Sequence, residues 1–153
     1  MSKVESADLI LKLYDLRREK KMRKARNWIF GYNPKSADEI MQTMMDPEVG
    51  GYFRMVTSYW DMAATFVNEG AIEADMFNKT AGEHVMVFAK VEPFLAELRE
   101  KFQSPEAFAN LEKLIMAMPD GAERVKKTQE WLKTINEQMA AAQSGDKADE
   151  ASA

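Results

Sequence analysis

An all-α domain, an antiparallel bundle of about five helices with a disordered C-terminal tail, is the fold class this chain predicts. Three observations carry that expectation. From Phe77 to Phe102 the positions Phe77, Ala81, His84, Phe88, Val91, Leu95, Leu98 and Phe102 follow one another in steps of four and three, the seam of a helix packed on other helices. Ser36 with Glu39, and Asp120 with Glu123, have the spacing of capping boxes at helix starts. No segment alternates apolar and polar residues in the manner of a strand.

The first helix is expected to start near Ser6, with Asp8 in its first turn, and to run to Phe30, where Gly31 and Asn33-Pro34 stop it. Its seam reads Leu11, Arg18, Met22, Ala25, Ile29, with Arg18 reaching out to solvent or to an acid. A short helix follows from Ser36 to Met45. Asp46-Pro47 then reads as an N-cap with proline at the first helical position, and Gly50-Gly51 as a break.

The helix from Tyr52 to Glu69 carries two apolar stripes. One is Phe53, Val56, Trp60, Ala63 and Val67; the other is Tyr52, Met55, Tyr59, Met62 and Phe66. A helix apolar on two sides is central, or has one side covered by another subunit, which makes the second stripe a candidate oligomer interface. Gly70 suits a C-cap, and the short link through Ala71-Ile72 predicts a helical hairpin with the long seam helix. Pro93 lies off the apolar line of that helix and is expected to kink it without ending it.

Ser104-Pro105-Glu106 starts another helix, with Phe108, Leu111, Ile115 and Met118 facing inward. After the Pro119-Asp120-Gly121 turn, Val125, Thr128, Leu132, Ile135 and Met139 form the last seam. Residues 1–140 are thus expected to be a single domain, and residues 141–153 a disordered acidic tail.

Composition narrows the classes of function. With 153 residues, 46% of them hydrophobic, the chain can build one core of its own. It has no cysteine, which excludes disulfides, thiolate zinc sites and cysteine nucleophiles. The stretch Met1–Glu5 opens no signal-like apolar run, and no segment is apolar for long enough to span a bilayer, so a soluble, cytoplasmic protein without a membrane partner is expected. The net charge of −4 conceals a polarity: residues 1–35 hold ten Lys/Arg against four Asp/Glu, the remainder eleven against twenty-one. Such a chain pairs with itself or shows a basic face to a partner.

Three groups of residues are candidates for function. The run containing Arg17, Lys20, Lys21, Arg23 and Lys24 would attract nucleic acid or an acidic protein. The acidic remainder and the lack of a helix-turn-helix pair or an aromatic single-strand platform favour instead a solvated or self-paired face. Tyr59, Trp60 and His84 outline a candidate pocket. His84 has Thr80, Ala81, Val87 and Phe88 three and four residues away, none of them a metal ligand, so it reads as a core histidine hydrogen-bonded across the bundle. The acids Asp61, Glu69, Glu73 and Asp75 gather near the hairpin turn, where caps and solvated turns collect carboxylates for ordinary reasons. Twelve methionines point to adaptable packing or an adaptable interface. No nucleophile, cofactor motif or metal set converges on a reaction. The expectation is a non-enzymatic interaction or regulatory module, homo-oligomeric and without cofactor. A nucleic-acid-associated protein and a small-molecule-binding bundle are the alternatives.

The segment from Val56 to Glu112 resembles a bacterial family known as domain-of-unknown-function family 4760. The matching features are the aromatic helix ending in Gly70, Ala71-Ile72-Glu73 opening the next element, Pro93-Phe94-Leu95, Arg99, and Pro105 followed by Phe108 and Leu111-Glu112. The resemblance implies a small helical fold with no established activity, and it brings no catalytic residues.

Overall fold

The structure, a computed structural model, describes residues 2–152. Among these residues every regular element is helical: α1 (Lys3–Leu16), α2 (Lys20–Phe30), α3 (Ala37–Met45), α4 (Val49–Asn68), α5 (Ala74–Thr80), α6 (Glu83–Val91), a 3₁₀ turn (Glu92–Phe94), α7 (Leu95–Lys101), α8 (Ala109–Met116) and α9 (Gly121–Ser152). The all-α class holds, while the count of about five helices does not, because the long helices expected from the seams are interrupted.

The first interruption has a phase argument behind it. Ser6 and Leu13 are the buried residues of α1, and Met22, Ala25 and Ile29 those of α2. At 3.6 residues per turn, Leu13 and Met22 would lie about 180° apart on one continuous helix. The chain therefore breaks at Arg17–Glu19, and the Glu19 carboxylate caps α2 by accepting from Met22 N at 2.9 Å. Leu11, assigned to the expected seam, is 66% exposed as a result. The helix also begins earlier than expected. Ser2 and Glu5 form a full capping box, and buried Ser6 instead accepts a hydrogen bond from Glu73 N at 3.0 Å.

Ser36 caps α3 as read, accepting from Glu39 N, but Glu39 reaches back to Lys35 N, one residue before the cap. Asp46 accepts from Glu48 N and Val49 N at the entry to α4. The expected break at Gly50-Gly51 is absent, since both glycines lie inside α4. Gly50 is there for space: a Cβ would sit 2.5 Å from Met44 O, where the end of α3 crosses the start of α4. Gly70, at φ +80°, ends α4 in a Schellman motif, with Gly70 N donating to Val67 O and Ala71 N to Phe66 O.

The seam from Phe77 to Phe102 is divided among α5, α6 and α7. Ala81 adopts extended backbone and Gly82 precedes the new helix start at Glu83. Pro93 does more than kink the helix, because the 3₁₀ turn around it separates α6 from α7. Phe77, His84, Phe88, Val91, Leu95 and Leu98 are buried all the same. Ser104–Ala107 forms turns, not a helix, and α8 starts only after Phe108, whose φ is +59°. Finally, α9 runs as helix to Ser152, so residues 141–152 are not the disordered tail expected; Ala153 lies outside the described residues. Extending a helix already anchored by Val125 and Leu132 carries no new nucleation cost, and Ala140–Gln143 have favourable propensity.

The core sits around α4, which packs chiefly on α2 and α8, with α6 packed on α9. Its largest fully buried side chains include Ile29, Ile40, Phe53, Phe88, Leu98 and Ile115.

Candidate functional site

Where α1, α4 and α5 meet, they leave an apolar cleft of about 250 Å³. Its walls are Ile10, Leu11, Leu13 and Tyr14 from α1, Tyr59 and Trp60 from α4, and Phe77 and Thr80 from α5, closed by Ala81. The i, i+3, i+4 spacing on α1 and the adjacent pair on α4 bring these side chains to one place. Arg17, in the break after α1, is the charged residue of the lining. Its guanidinium lies 4.8 Å from the Tyr14 ring centroid and 5.5 Å from that of Trp60, within cation–π range of both rings.

The floor is held by polar bonds. Tyr59 donates its hydroxyl to Leu13 O, fixing α1 on α4, and burial pushes its phenol up to about 12. Trp60 stands edge-on to Tyr59 with centroids 4.9 Å apart, and its indole N–H donates to Glu83 Oε1 at 3.2 Å. The same carboxylate accepts from Arg26 Nε at 3.0 Å and from Nη2 at 2.8 Å. That pairing holds the Arg26 guanidinium protonated above its ordinary range.

His84 does not line the cleft. It is fully buried behind Trp60 and Phe77, whose ring centroids lie 5.5 and 5.2 Å away. The core placement is as read, but the hydrogen bond across the bundle is not found: neither ring nitrogen has a partner among the described residues. Burial, reinforced by the Arg124 charge, lowers its pKa to about 4, so the ring is neutral. Tyr59 and Trp60 therefore share one cleft, with His84 forming a second layer behind it.

The basic run is spread over an exposed surface. Lys20, Lys21, Arg23 and Lys24 are exposed, Arg17 is half-buried, and none of the five is in an ion pair among the described residues. Arg17 and Arg23 border a wide depression of about 840 Å³ with Arg18, Arg26, Asp15 and Glu19, which shares Tyr14 and Arg17 with the lining of the cleft. On the second stripe of α4, Tyr52 and Met55 are half-buried and Tyr59 is buried, while Met62 and Phe66 remain 38% and 41% exposed. Two of the acids near the hairpin have side-chain partners, and these are separate. Asp61 accepts from Asn110 Nδ2 and Leu111 N at the start of α8, and Asp75 pairs with Lys79.

Sequence reasoning missed two residues. Arg26 lay in the basic run yet is the partner of Glu83. Lys90 is 7% exposed and donates its ammonium to Phe30 O, Tyr32 O and Asn33 Oδ1, closing the C-terminal end of α2, and burial lowers its pKa to about 8. A lone lysine between Ala89 and Val91 in an apolar seam was the available signal.

Among the described residues no three His, Asp or Glu side chains are placed to hold a metal ion, and no helix is long and apolar enough to cross a membrane. Fold and lining together define an all-helical chain with an apolar cleft between α1, α4 and α5. The chain belongs to the family described as Domain of unknown function (DUF4760), whose model matches residues 3–118. That span takes in the whole lining of the cleft and stops before α9. No curated protein and no solved structure matches the chain.

Proposed function

We propose that the protein is a non-enzymatic binding module whose binding site is the cleft between α1, α4 and α5. One observation carries this reading: a partly enclosed apolar space of about 250 Å³ is walled by Tyr59, Trp60 and Phe77, with Arg17 the one charged residue of its lining among the described residues. Ligand sites are concave, mostly apolar and provided with few polar groups, and at about 250 Å³ this space falls just below their usual range of roughly 300–1,000 Å³, which suits a small ligand. The neutral fluorophore 2-naphthol, whose ten carbons match one phenyl ring with four methylenes, tests it. Saturable uptake at one site per chain, lost in Ala81→Phe, supports the reading; no saturable uptake by the folded wild type overturns it.

A second reading, association with another copy or an acidic partner, is supported by a different surface. Met62 and Phe66 leave part of α4 uncovered, and Lys20, Lys21, Arg23 and Lys24 of α2 have no carboxylate partners among the described residues.

A further inference from the structure

The cleft is chemically lopsided. Inside, aliphatic and aromatic groups line it; at one end stands the Arg17 guanidinium, without a carboxylate partner among the described residues. Its Cζ lies 4.8 and 5.5 Å from the Tyr14 and Trp60 ring centroids, and its side chain makes no hydrogen bond among the described residues, which leaves its N–H groups to donate. The adjoining depression strengthens the positive field with Arg18 and Arg23. Its two acids, Asp15 and Glu19, oppose that field, but Arg17, Arg18 and Arg23, none of them in an ion pair among the described residues, outnumber them. Arg26, already bound to Glu83, buttresses the floor and is not available to a ligand.

Size sets a second limit. A cavity of roughly 150 Å³ accommodates benzene, so about 250 Å³ leaves room for one ring and a few methylenes, or for a short alkyl chain. The geometry points to a small amphiphilic carboxylate, with an arylalkyl or short alkyl body, as the ligand of this cleft. The body lies against Trp60 and Phe77, and the carboxylate accepts from the Arg17 N–H edge. This rests on the reading of the cleft as a binding site. Planar fork-to-carboxylate matching supplies the selectivity for an acid over a neutral head group, and burial of the body supplies the affinity.

Calorimetric titration of the full chain with 4-phenylbutyrate and octanoate, against 4-phenyl-1-butanol and octan-1-ol, is the test. At least one acid should bind at one site per chain and roughly tenfold tighter than its alcohol, the ratio expected for a hydrogen bond to a charged group. Arg17→Met, which keeps the apolar stem, should erase that ratio while leaving the alcohol's affinity in place, and Arg17→Lys should restore part of it. Circular dichroism and melting of each variant establish that it is folded. Equal affinity for acid and alcohol, or a ratio unchanged in Arg17→Met, overturns the ligand class while the cleft remains a binding site. Acid binding that persists in Ala81→Phe places the site elsewhere and also overturns the proposal. Failure of the acids together with the neutral fluorophore removes the cleft reading itself.

Discussion

Arg26 on α2 grips Glu83 at the first residue of α6, with its Nε at 3.0 Å from both carboxylate oxygens and its Nη2 at 2.8 Å from Oε2. Trp60 adds a third donor from α4, so one carboxylate joins three helices beneath the cleft. The side chains are only 28% and 19% exposed, which limits screening by solvent.

A double-mutant cycle measures this junction. Glu83→Ala and Arg26→Ala should each destabilise the fold, Glu83→Ala more, because it strands a half-buried guanidinium and the Trp60 N–H together. The coupling read from urea unfolding should be about 1–3 kcal/mol and should change little between low and high salt. A coupling near zero would mean that the pair does not hold the helices together.

His84 makes stability depend on acid. Its pKa is near 4 in the fold and about 6.5 in the unfolded chain, so between those values the unfolded state binds a proton that the folded state refuses. Stability from this group is complete above about pH 6.5 and is lost progressively as the pH falls towards 4, by roughly 3 kcal/mol over the window. His84→Leu removes the titration, and its unfolding free energy should fall less than that of the wild type between pH 6.5 and 4. Parallel pH profiles for the two proteins would refute the assignment.

The difference between what the residues foretold and what they built lies in the breaks. Seam positions such as Phe88, Val91, Leu95 and Leu98 were legible because burial follows the spacing whether or not the helix is continuous. Gly70 was legible because its conformation is local. The division at Arg17–Glu19 was not, since it depends on which faces of α1 and α2 meet α4, a tertiary property. A sharper reading of Gly82 and of Glu19 as caps would have found two of the divisions. Of the site, Tyr59 and Trp60 emerged from helical spacing, whereas Arg17 at the rim and the Arg26–Glu83 pair, 57 residues apart in sequence, needed the packed structure. His84 was placed in the core by its seam position, and its lack of a hydrogen-bond partner had no sequence signal.

Gly50 and Gly51 are adjacent in one helix and should answer oppositely to alanine. A Cβ on Gly50 meets Met44 O at 2.5 Å, backbone that cannot swing aside, whereas Gly51 has nothing within 4 Å. Gly51→Ala should therefore stabilise by about 0.5–1 kcal/mol through helix propensity alone. Gly50→Ala gains the same propensity but forces α3 away from α4, for a net loss of about 1–3 kcal/mol. Thermal melts of the two variants decide it, and equal shifts would show that the α3–α4 crossing is looser than the structure has it.

The two exposed surfaces can be separated by charge. Reversing Lys20, Lys21 and Lys24 to glutamate alters exposed residues that hold no ion pair among the described residues, so stability should change by less than about 1 kcal/mol. If α2 docks on a polyanion, the wild type should shift labelled DNA or RNA at low salt, lose it as salt rises, and lose it outright on reversal. If instead two copies meet through the uncovered part of α4, sedimentation should show a dimer that survives the lysine reversal and dissociates in Met62→Lys/Phe66→Glu. Those two side chains are more than a third exposed, so in a monomer the double substitution should leave both fold and sedimentation unchanged. A wild-type monomer with salt-sensitive nucleic-acid binding would exclude the α4 interface and make the basic face of α2 the partner surface.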